Sequence, residues 1–412
     1  MIYDLIIIGA GAAGLFAAAN TPVQWKTLIL EKTDAPGKKL LLTGSGQCNI
    51  TNNAPIKTFL DRYGRNGSRL RPVLFPFSNI ALVEFFKQNG LPLEDRGDGK
   101  VFPVSRKSND VVELLVRLGC KRGVEFKYLT EVTDVIHSDS SEDYSYSVHT
   151  ADMVFSSKRI LIATGGESYP QTGSDGSFFA CLDRLGLKLI PGKPALTPIY
   201  VTNYSYESLS GITFPGCVLS LACDDGSDPV KVEGSLLFTH KGLSGPCVLE
   251  ISRYVRKGDR LTINYLPDKN SETLRLELIQ ASSGSTKQII TILEHITGLA
   301  RSFLELVCEN CETQKNEKAS RLTGRELGIL AEKLTADSHE INGTGEFDVA
   351  MVTAGGVCLD EVDLKTMEAK RYPGLYFAGE VLDVDGDTGG YNLQFAFSSA
   401  KSAVKLQETE NK

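Results

Sequence analysis

Gly9, Gly11 and Gly14 stand at GxGxxG spacing between the apolar run Tyr3 to Ile8 and the small-residue stretch Ala10 to Asn20. A second apolar run, Thr27 to Leu30, ends at Glu31. Strand, tight turn, helix and strand in that order open a βαβ unit of the kind that receives a dinucleotide. In such a unit Gly9 permits the turn, Gly11 lets the backbone approach a pyrophosphate, and Gly14 lets helix and strand pack closely. The helix N-terminus then faces the phosphates. Glu31 lies 20 positions after Gly11, where it can accept hydrogen bonds from the adenosine ribose hydroxyls and where its charge disfavours a 2′-phosphate.

The far end of the chain supplies a second set of chemical positions. Pro373, Gly374, Leu375, Tyr376, Phe377, Ala378, Gly379 and Glu380 read as a turn, a strand and an acidic end, and Thr388, Gly389 and Gly390 precede the helix-like stretch Asn392 to Leu406. A flavin needs such a second site, because its ribityl chain and ring reach far past the pyrophosphate. Reduction places negative charge on the N1 and C2 carbonyl edge of the ring, which amides at Gly390, Tyr391 and Asn392 would stabilise. This turns a dinucleotide site into a site for FAD. A second GxGxxG is missing: Thr164 to Gly166 and Ala354 to Gly356 lack the spacing. NAD(P)H would therefore meet the flavin as a transient electron donor, or another donor would serve.

These residues need elements to hold them. A chain of 412 residues is expected to form two or three packing units. Asn79 to Asn89 and Ser108 to Leu118 have helical spacing, Lys127 to Thr150 reads as strands carrying a hairpin, and Arg159 to Ala163 reads as a buried strand. From about Ile190 the texture changes: Pro191, Pro194 and Pro198 precede alternating segments such as Cys217 to Cys223 and Val230 to His240, which suggest a small β part. Helical spacing follows from Glu272 to Leu334, in Leu274 to Ile279, Ile289 to Ile296 and Phe303 to Val307, and strand texture returns at Phe347 to Val352 and Leu375 to Ala378. The expected architecture is α/β. A Rossmann-like domain is formed by both chain ends, residues 1–191 and 341–412, and an insert interrupts it, with a β part at 192–271 and a small helical part at 272–340.

Composition narrows the classes. Hydrophobic residues at 42% and charged residues at 23% describe an ordinary soluble protein. A net charge of −7 argues against holding long nucleic acid by phosphate neutralisation, although Lys57, Arg62, Arg65, Arg69 and Arg71 form a local basic cluster whose plain reading is a solvated face. Nine scattered cysteines are unlike a secreted disulfide framework. Leu5 to Ala19 resembles a signal sequence in apolarity, but no basic residue precedes it, Asp4 stands at its edge and glycines break it. No other run approaches the roughly 20 apolar residues of a membrane span. A cytoplasmic protein with no membrane segment is expected.

The chain resembles a known family: the BaiN/RdsA-like NAD(P)/FAD-dependent oxidoreductases, within the two-dinucleotide-fold flavoproteins. The likeness covers almost the whole chain. It rests on GAGAAG from Gly9 to Gly14, GKKLLLTGSGQCNITN from Gly37 to Asn52, ATGGESYPQTGSDG from Ala163 to Gly176, LFTHKGLSGP from Leu237 to Pro246, VTAGGV from Val352 to Val357, and GLYFAGEVLDVDGDTGGYNLQ from Gly374 to Gln394. The resemblance implies an FAD domain interrupted by an insert with a β-barrel part and a helical part. It also implies cofactor contacts along the chain. Ala13 joins the glycine turn and Lys32 follows Glu31. Lys39, Thr43, Gly44, Cys48 and Asn49 pass along the pyrophosphate and flavin, and Val132 meets adenine. Ala163, Thr164 and Gly165 lie beside the pyrophosphate, Gly379, Glu380 and Asp383 hold the ribityl region, and Gly390, Asn392 and Leu393 the ring edge. Ser45 and Gln47 depart from the family's pattern, where Gly and Arg are usual.

Activities associated with that family point to reduction of an activated C=C bond, in unsaturated steroid intermediates of bile-acid degradation in one branch and in uridine of ribosomal RNA in another. The chemistry is hydride from flavin N5 to one carbon and a proton to its neighbour. His240 is the candidate acid, since a turn-rich segment of the insert could reach the flavin; Tyr169 and Tyr391 are alternatives. A small-molecule substrate leads, with RNA second. A flavin oxidase or dehydrogenase acting on an amine or alcohol would show the same cofactor site, and a non-catalytic FAD module with a partner-binding insert is the third reading. Cys48 lacks the second cysteine of a disulfide reductase loop, so packing or flavin contact is its expected role. Cys308 and Cys311 lie in a helical pattern with no second ligand pair, which favours packing over metal binding. Substrate, direction, electron donor and oligomeric state stay open.

Overall fold

In the computed structural model, which describes residues 2–138, 145–222 and 229–405, five parallel strands form the centre of the first unit. They are β1 (Leu5–Ile8), β2 (Thr27–Leu30), β3 (Glu125–Lys127), β4 (Ile160–Ile162) and β5 (Leu375–Phe377). Their spatial order is 5-4-1-2-3, and two short antiparallel strands, Val362–Asp363 and Glu368–Ala369, extend the β5 edge. Registers such as Ile6 opposite both Leu28 and Ile160, and Leu161 opposite Tyr376, place the C-terminal ends of β1, β2, β4 and β5 on one edge. All residues of β1, β2, β4 and β5 are buried. This matches their continuous apolar runs, because a parallel sheet is covered on both faces. Each fully buried aliphatic side chain there contributes about 1.5 to 3 kcal/mol.

Helix α1 (Ala12–Ala18) follows β1 and is buried along Ala13 to Ala18. Its small residues let the C-terminal helix α3 (Tyr391–Lys405) lie close, and Phe16 and Phe397 pack at 4.9 Å between ring centroids. Between them in sequence, Lys38–Leu42, expected as part of a loop, forms a short helix, α2. Gly37 starts it in a left-handed conformation, φ 70°, where an added Cβ would meet Val112 at 2.7 Å.

The chain divides into two compact units, Met1–Ala195 with Phe347–Lys412, and Leu196–Glu346. The expected break after residue 191 falls inside a strand, Leu189–Ala195, that pairs antiparallel with Val352–Val357. Pro191 and Pro194 suggested a break, yet an irregularity between Ile190 and Lys193 accommodates Pro191, and Pro194 pairs with Thr353 on a strand that is an edge of its two-stranded sheet. The second unit holds a closed barrel of six strands, ordered Ile199–Val201, Leu243–Ser244, Val230–Phe238, Thr213–Leu221, Arg260–Asn264 and Asp337–Thr344. Helices Ser271–Ser282, Ile289–Thr297, Arg301–Asn310 and Gly324–Thr335 share its apolar core. The helical part expected at 272–340 thus ends at Thr335, and Asp337–Thr344 is the strand that closes the barrel. Phe347 to Val352 was expected as a strand; 347–349 form a turn and the strand starts at Val352. Residues 139–144 of the stretch expected to carry a hairpin, together with Cys223 and Leu406, lie outside the described residues. Among the described residues no helix is long and apolar enough to cross a membrane.

Candidate cofactor site

Strand order reverses between β1 and β4, the place where open α/β sheets bind ligands at their C-terminal edge. Gly9 and Ala163 leave the two strands there. The Ala163 amide donates to the Ile8 carbonyl at 2.9 Å, and a Cβ on Gly9, φ 100°, would come within 2.5 Å of the Ala163 oxygen. A Cβ on Gly14 would sit 1.9 Å from the Gly9 oxygen. Gly11 differs: a Cβ built on it meets nothing within 4 Å. Gly9 and Gly14 are therefore glycine because the protein fills the space, whereas Gly11 borders open space, as backbone that must admit a pyrophosphate requires.

Glu31 is buried at the end of β2 with its carboxylate already set. Oε2 accepts the Ala10 amide at 2.8 Å and Oε1 accepts the Thr33 amide at 2.8 Å. A carboxylate has about four lone-pair sites, so capacity for ribose hydroxyls remains. The Thr130 amide donates to the Glu31 carbonyl at 2.9 Å, which brings buried Val132 two residues further along to the same strand end. Lys32 turns to Asp175 at 2.6 Å and Ser177 at 3.2 Å. Thr164 and Gly165 continue from β4; a Cβ on Gly165, φ 77°, would press on Ser174 Oγ at 2.8 Å.

The second set of positions assembles around α2 and the start of α3. Lys39 Nζ donates to both oxygens of Glu380, at 3.0 and 2.8 Å, and Glu380 Oε1 also accepts the Thr353 amide at 2.8 Å. Lys39, which the resemblance placed along the pyrophosphate and flavin, is ion-paired with Glu380 in this structure. A Cβ on Gly379 would lie 3.0 Å from Ala13 Cβ, so the expected ribityl turn meets α1. The loop Thr43 to Asn49 folds on itself: the Cys48 amide donates to the Thr43 carbonyl at 2.9 Å, and Ser45 and Cys48 take left-handed φ of 56° and 60°. A Cβ on Gly44 would crowd the Asn49 amide at 3.0 Å. Asn49 Oδ1 is buried without a hydrogen-bond partner among the described residues, an acceptor left unpaired. Burial pushes the Cys48 thiol up to about 12, which opposes a thiolate nucleophile.

Gly390 backs onto the short strand Thr51–Asn52 that follows this loop, since a Cβ there would fall 2.6 Å from the Thr51 backbone. Asn392 braces its own turn, accepting the Gly386 amide and donating to the Gly386 carbonyl, both at 2.8 Å. Half-buried Leu393 packs on the core. Asp383 is buried and meets Asn66 and Arg65. Open space at Gly11, the preset Glu31 and the orphan acceptor of Asn49 fit a dinucleotide that carries a further hydrogen-bonding group.

His240 belongs to the second unit, exposed in a turn that Thr239 closes on Gly242. The turn's glycines have packing reasons, for a Cβ on Gly242 would strike the Ile199 oxygen at 2.4 Å. Tyr169 has φ 55°, and its amide donates to the Phe347 carbonyl at 2.9 Å. All five residues of the basic cluster, Lys57, Arg62, Arg65, Arg69 and Arg71, are exposed, as a solvated face requires, and three of them also form ion pairs: Arg62 with Asp387, Arg65 with Asp383 and Arg69 with Asp360. Cys308 is buried in its helix with its thiol pushed up to about 11.

Three contributors escaped the sequence reading. Thr353 Oγ1 accepts the amides of Glu167 and Ser168 at 2.8 and 3.1 Å, and Gln394 joins Thr51 Oγ1 at 2.6 Å to the Phe77 carbonyl at 3.1 Å. Tyr63 donates to the Tyr391 carbonyl at 2.8 Å. Thr353 and Gln394 lie inside quoted motifs, and polar residues within apolar runs were the available signal.

A family profile described as HI0933-like protein Rossmann domain matches residues 3–406. The chain is 31% identical over 403 residues to a ribosomal RNA dihydrouridine synthase of Escherichia coli, covering 97% of this chain and 96% of the relative. It is also 31% identical over 412 residues to a 3-dehydro-bile acid delta(4,6)-reductase of Clostridium scindens, covering 95% and 96%. The crystal structure of a 3-ketosteroid delta1-dehydrogenase from Sterolibacterium denitrificans shares the fold over 100% of both chains, with a TM-score of 0.53 and 14% identity. Matched along nearly its whole length, the chain belongs to the HI0933-like Rossmann-domain family of oxidoreductases.

Proposed function

We propose that this chain holds FAD non-covalently and reduces an activated C=C bond. The observation that carries the reading is the strand-order reversal where Gly11 borders open space beside the preset carboxylate of Glu31. Gly9, Gly11, Ala13 and Gly14 with Ala163, Thr164 and Gly165 would receive the pyrophosphate, Glu31, Lys32 and Val132 the adenosine half, and Lys39, Gly379, Glu380 and Asp383 the ribityl region. Thr43, Gly44, Cys48, Asn49, Gly390, Asn392 and Leu393 would border the ring. When bound, the flavin supplies hydride to one carbon of the substrate. The chain's part is to orient the cofactor, exclude water and deliver a proton to the neighbouring carbon, with His240 the candidate donor and Tyr169 and Tyr391 the alternatives.

A small-molecule substrate is favoured over ribosomal RNA. Arg62, Arg65 and Arg69, three of the five residues of the basic cluster, are paired within the chain, and phosphate binding needs cations available to neutralise it. Stopped-flow reduction by NADH and by NADPH, then reoxidation by steroidal enones, by uridine-containing RNA and by air, separates the readings. Fast reoxidation by an enone supports the proposal; reoxidation by air alone supports an oxidase.

A further inference from the structure

The segment from Arg62 to Asn66 sends four of its five residues to one stretch of chain. Buried Tyr63 donates its hydroxyl to the Tyr391 carbonyl at 2.8 Å and packs edge-on to the Tyr391 ring at 6.3 Å. A Cβ on Gly386 would come within 3.0 Å of the Tyr63 ring. Asn66 Nδ2 donates to the Asp383 carbonyl at 2.7 Å and to its carboxylate at 3.3 Å. Arg65 meets the same carboxylate at 3.1 Å. The Asp387 amide donates to the Arg62 carbonyl at 2.8 Å, and the Arg62 guanidinium approaches the Asp387 carboxylate at 3.5 Å.

The stretch being held, Asp383 to Tyr391, has features that call for restraint. Gly386, Gly389 and Gly390 loosen its backbone, and Gly389 and Gly390 take φ of 117° and 98°. Three carboxylates, Asp383, Asp385 and Asp387, fall within five positions. A loop that must be ordered by its ligand weakens binding, whereas one ordered beforehand does not. Carboxylates beside an electron-rich cofactor oppose its reduction. Tyr63 and Asn66 answer the first problem and Arg62 and Arg65 the second. Arg65 is 74% exposed against 10% for Asp383, so the pair adds little to stability, and its effect is on the local charge.

We propose that Arg62, Tyr63, Arg65 and Asn66 are positioning residues that order the flavin-side turn Asp383 to Tyr391 and neutralise its carboxylates before the cofactor binds. The proposal rests on the FAD reading above.

The test uses the full chain reconstituted with FAD. Tyr63→Phe keeps the ring and removes only the hydroxyl donor, and Asn66→Ala removes the amide. Each should raise the FAD dissociation constant by about fivefold and shift the visible absorbance band of bound flavin. Arg65→Ala should move the equilibrium with a redox reference dye about threefold towards oxidised flavin, and adding Asp383→Asn should restore it. Asn66→Ser, which keeps a small polar side chain that is too short to reach Asp383, serves if Asn66→Ala does not fold. Wild type that holds FAD, together with variants unchanged in spectrum, affinity and dye equilibrium, overturns the clamp and leaves the FAD reading standing. Wild type that takes up no FAD overturns both.

Discussion

The Glu31 carboxylate accepts the Ala10 amide at 2.8 Å, so the acid that would bind the ribose also holds the glycine turn that would bind the pyrophosphate. One side chain couples the two halves of the adenosine site. Glu31→Ala should weaken FAD binding by about tenfold or more, since charge-assisted hydrogen bonds contribute about 1.5 to 3 kcal/mol. Fluorescence titration of the apoprotein with FAD reads this directly. An unchanged dissociation constant removes Glu31 from the site.

The glycines should separate binding from folding. Gly11→Val places a side chain into open space, so the variant should fold with a near-native melting temperature and lose FAD. Gly14→Ala must displace the Gly9 carbonyl, 1.9 Å from the new Cβ, and should lower the melting temperature as well. Equal melting temperatures for the two variants would contradict this division.

In the second unit, Asp337 is fully buried and bonded to Tyr265 at 2.9 Å, to His339 at 2.8 Å and to Lys333 and Tyr206, each at 2.5 Å. Burial pushes its carboxyl up, but the hydrogen bond and charge of His339, with Lys333, outweigh burial and hold it at about 2. A folded value below the unfolded 3.8 gives stability that is present above pH of about 4 and lost as pH falls towards 2. The contribution is about 2 kcal/mol. Urea titrations between pH 2 and 5 should show a steep acid limb that flattens in Asp337→Asn; identical limbs would show that the carboxylate is not linked to folding.

Ala195 pairs with Val352 across the two-stranded sheet, so the ends left by removing 196–346 stay within one short linker. The shortened chain should still bind FAD, because every proposed cofactor residue lies outside the excised span. It should fail to turn over substrate, because the cofactor motifs position a flavin but shape no substrate pocket. Solubility has to be checked first, as truncation exposes apolar surface. Full activity in a soluble truncated protein would remove His240 as the acid.

The sequence made the first unit legible where period and punctuation agreed. β1, β2 and β4 are continuous apolar runs ending at glycine, acid or Thr-Gly-Gly, and each emerged as a buried parallel strand. Asp337–Thr344 was missed because it alternates polar residues directly after the helix Gly324–Thr335, and its closure of the barrel depends on distant partners, Arg260–Asn264 and Ile199–Val201. The same limit hid the Arg62 to Asn66 clamp. Five basic residues in a row of turns read as a charged face, and only the fold brings Asp383 and Asp387, more than 300 positions away, against them.

The most direct test of the account is the identity of the bound cofactor. Heat release from purified protein, followed by chromatography against FAD, FMN and NAD standards, should yield FAD at close to one equivalent, because Glu31 and the glycine turn call for an adenosine half and the stretch from Gly379 to Leu393 for a flavin half. FMN alone, or NAD without flavin, would contradict it.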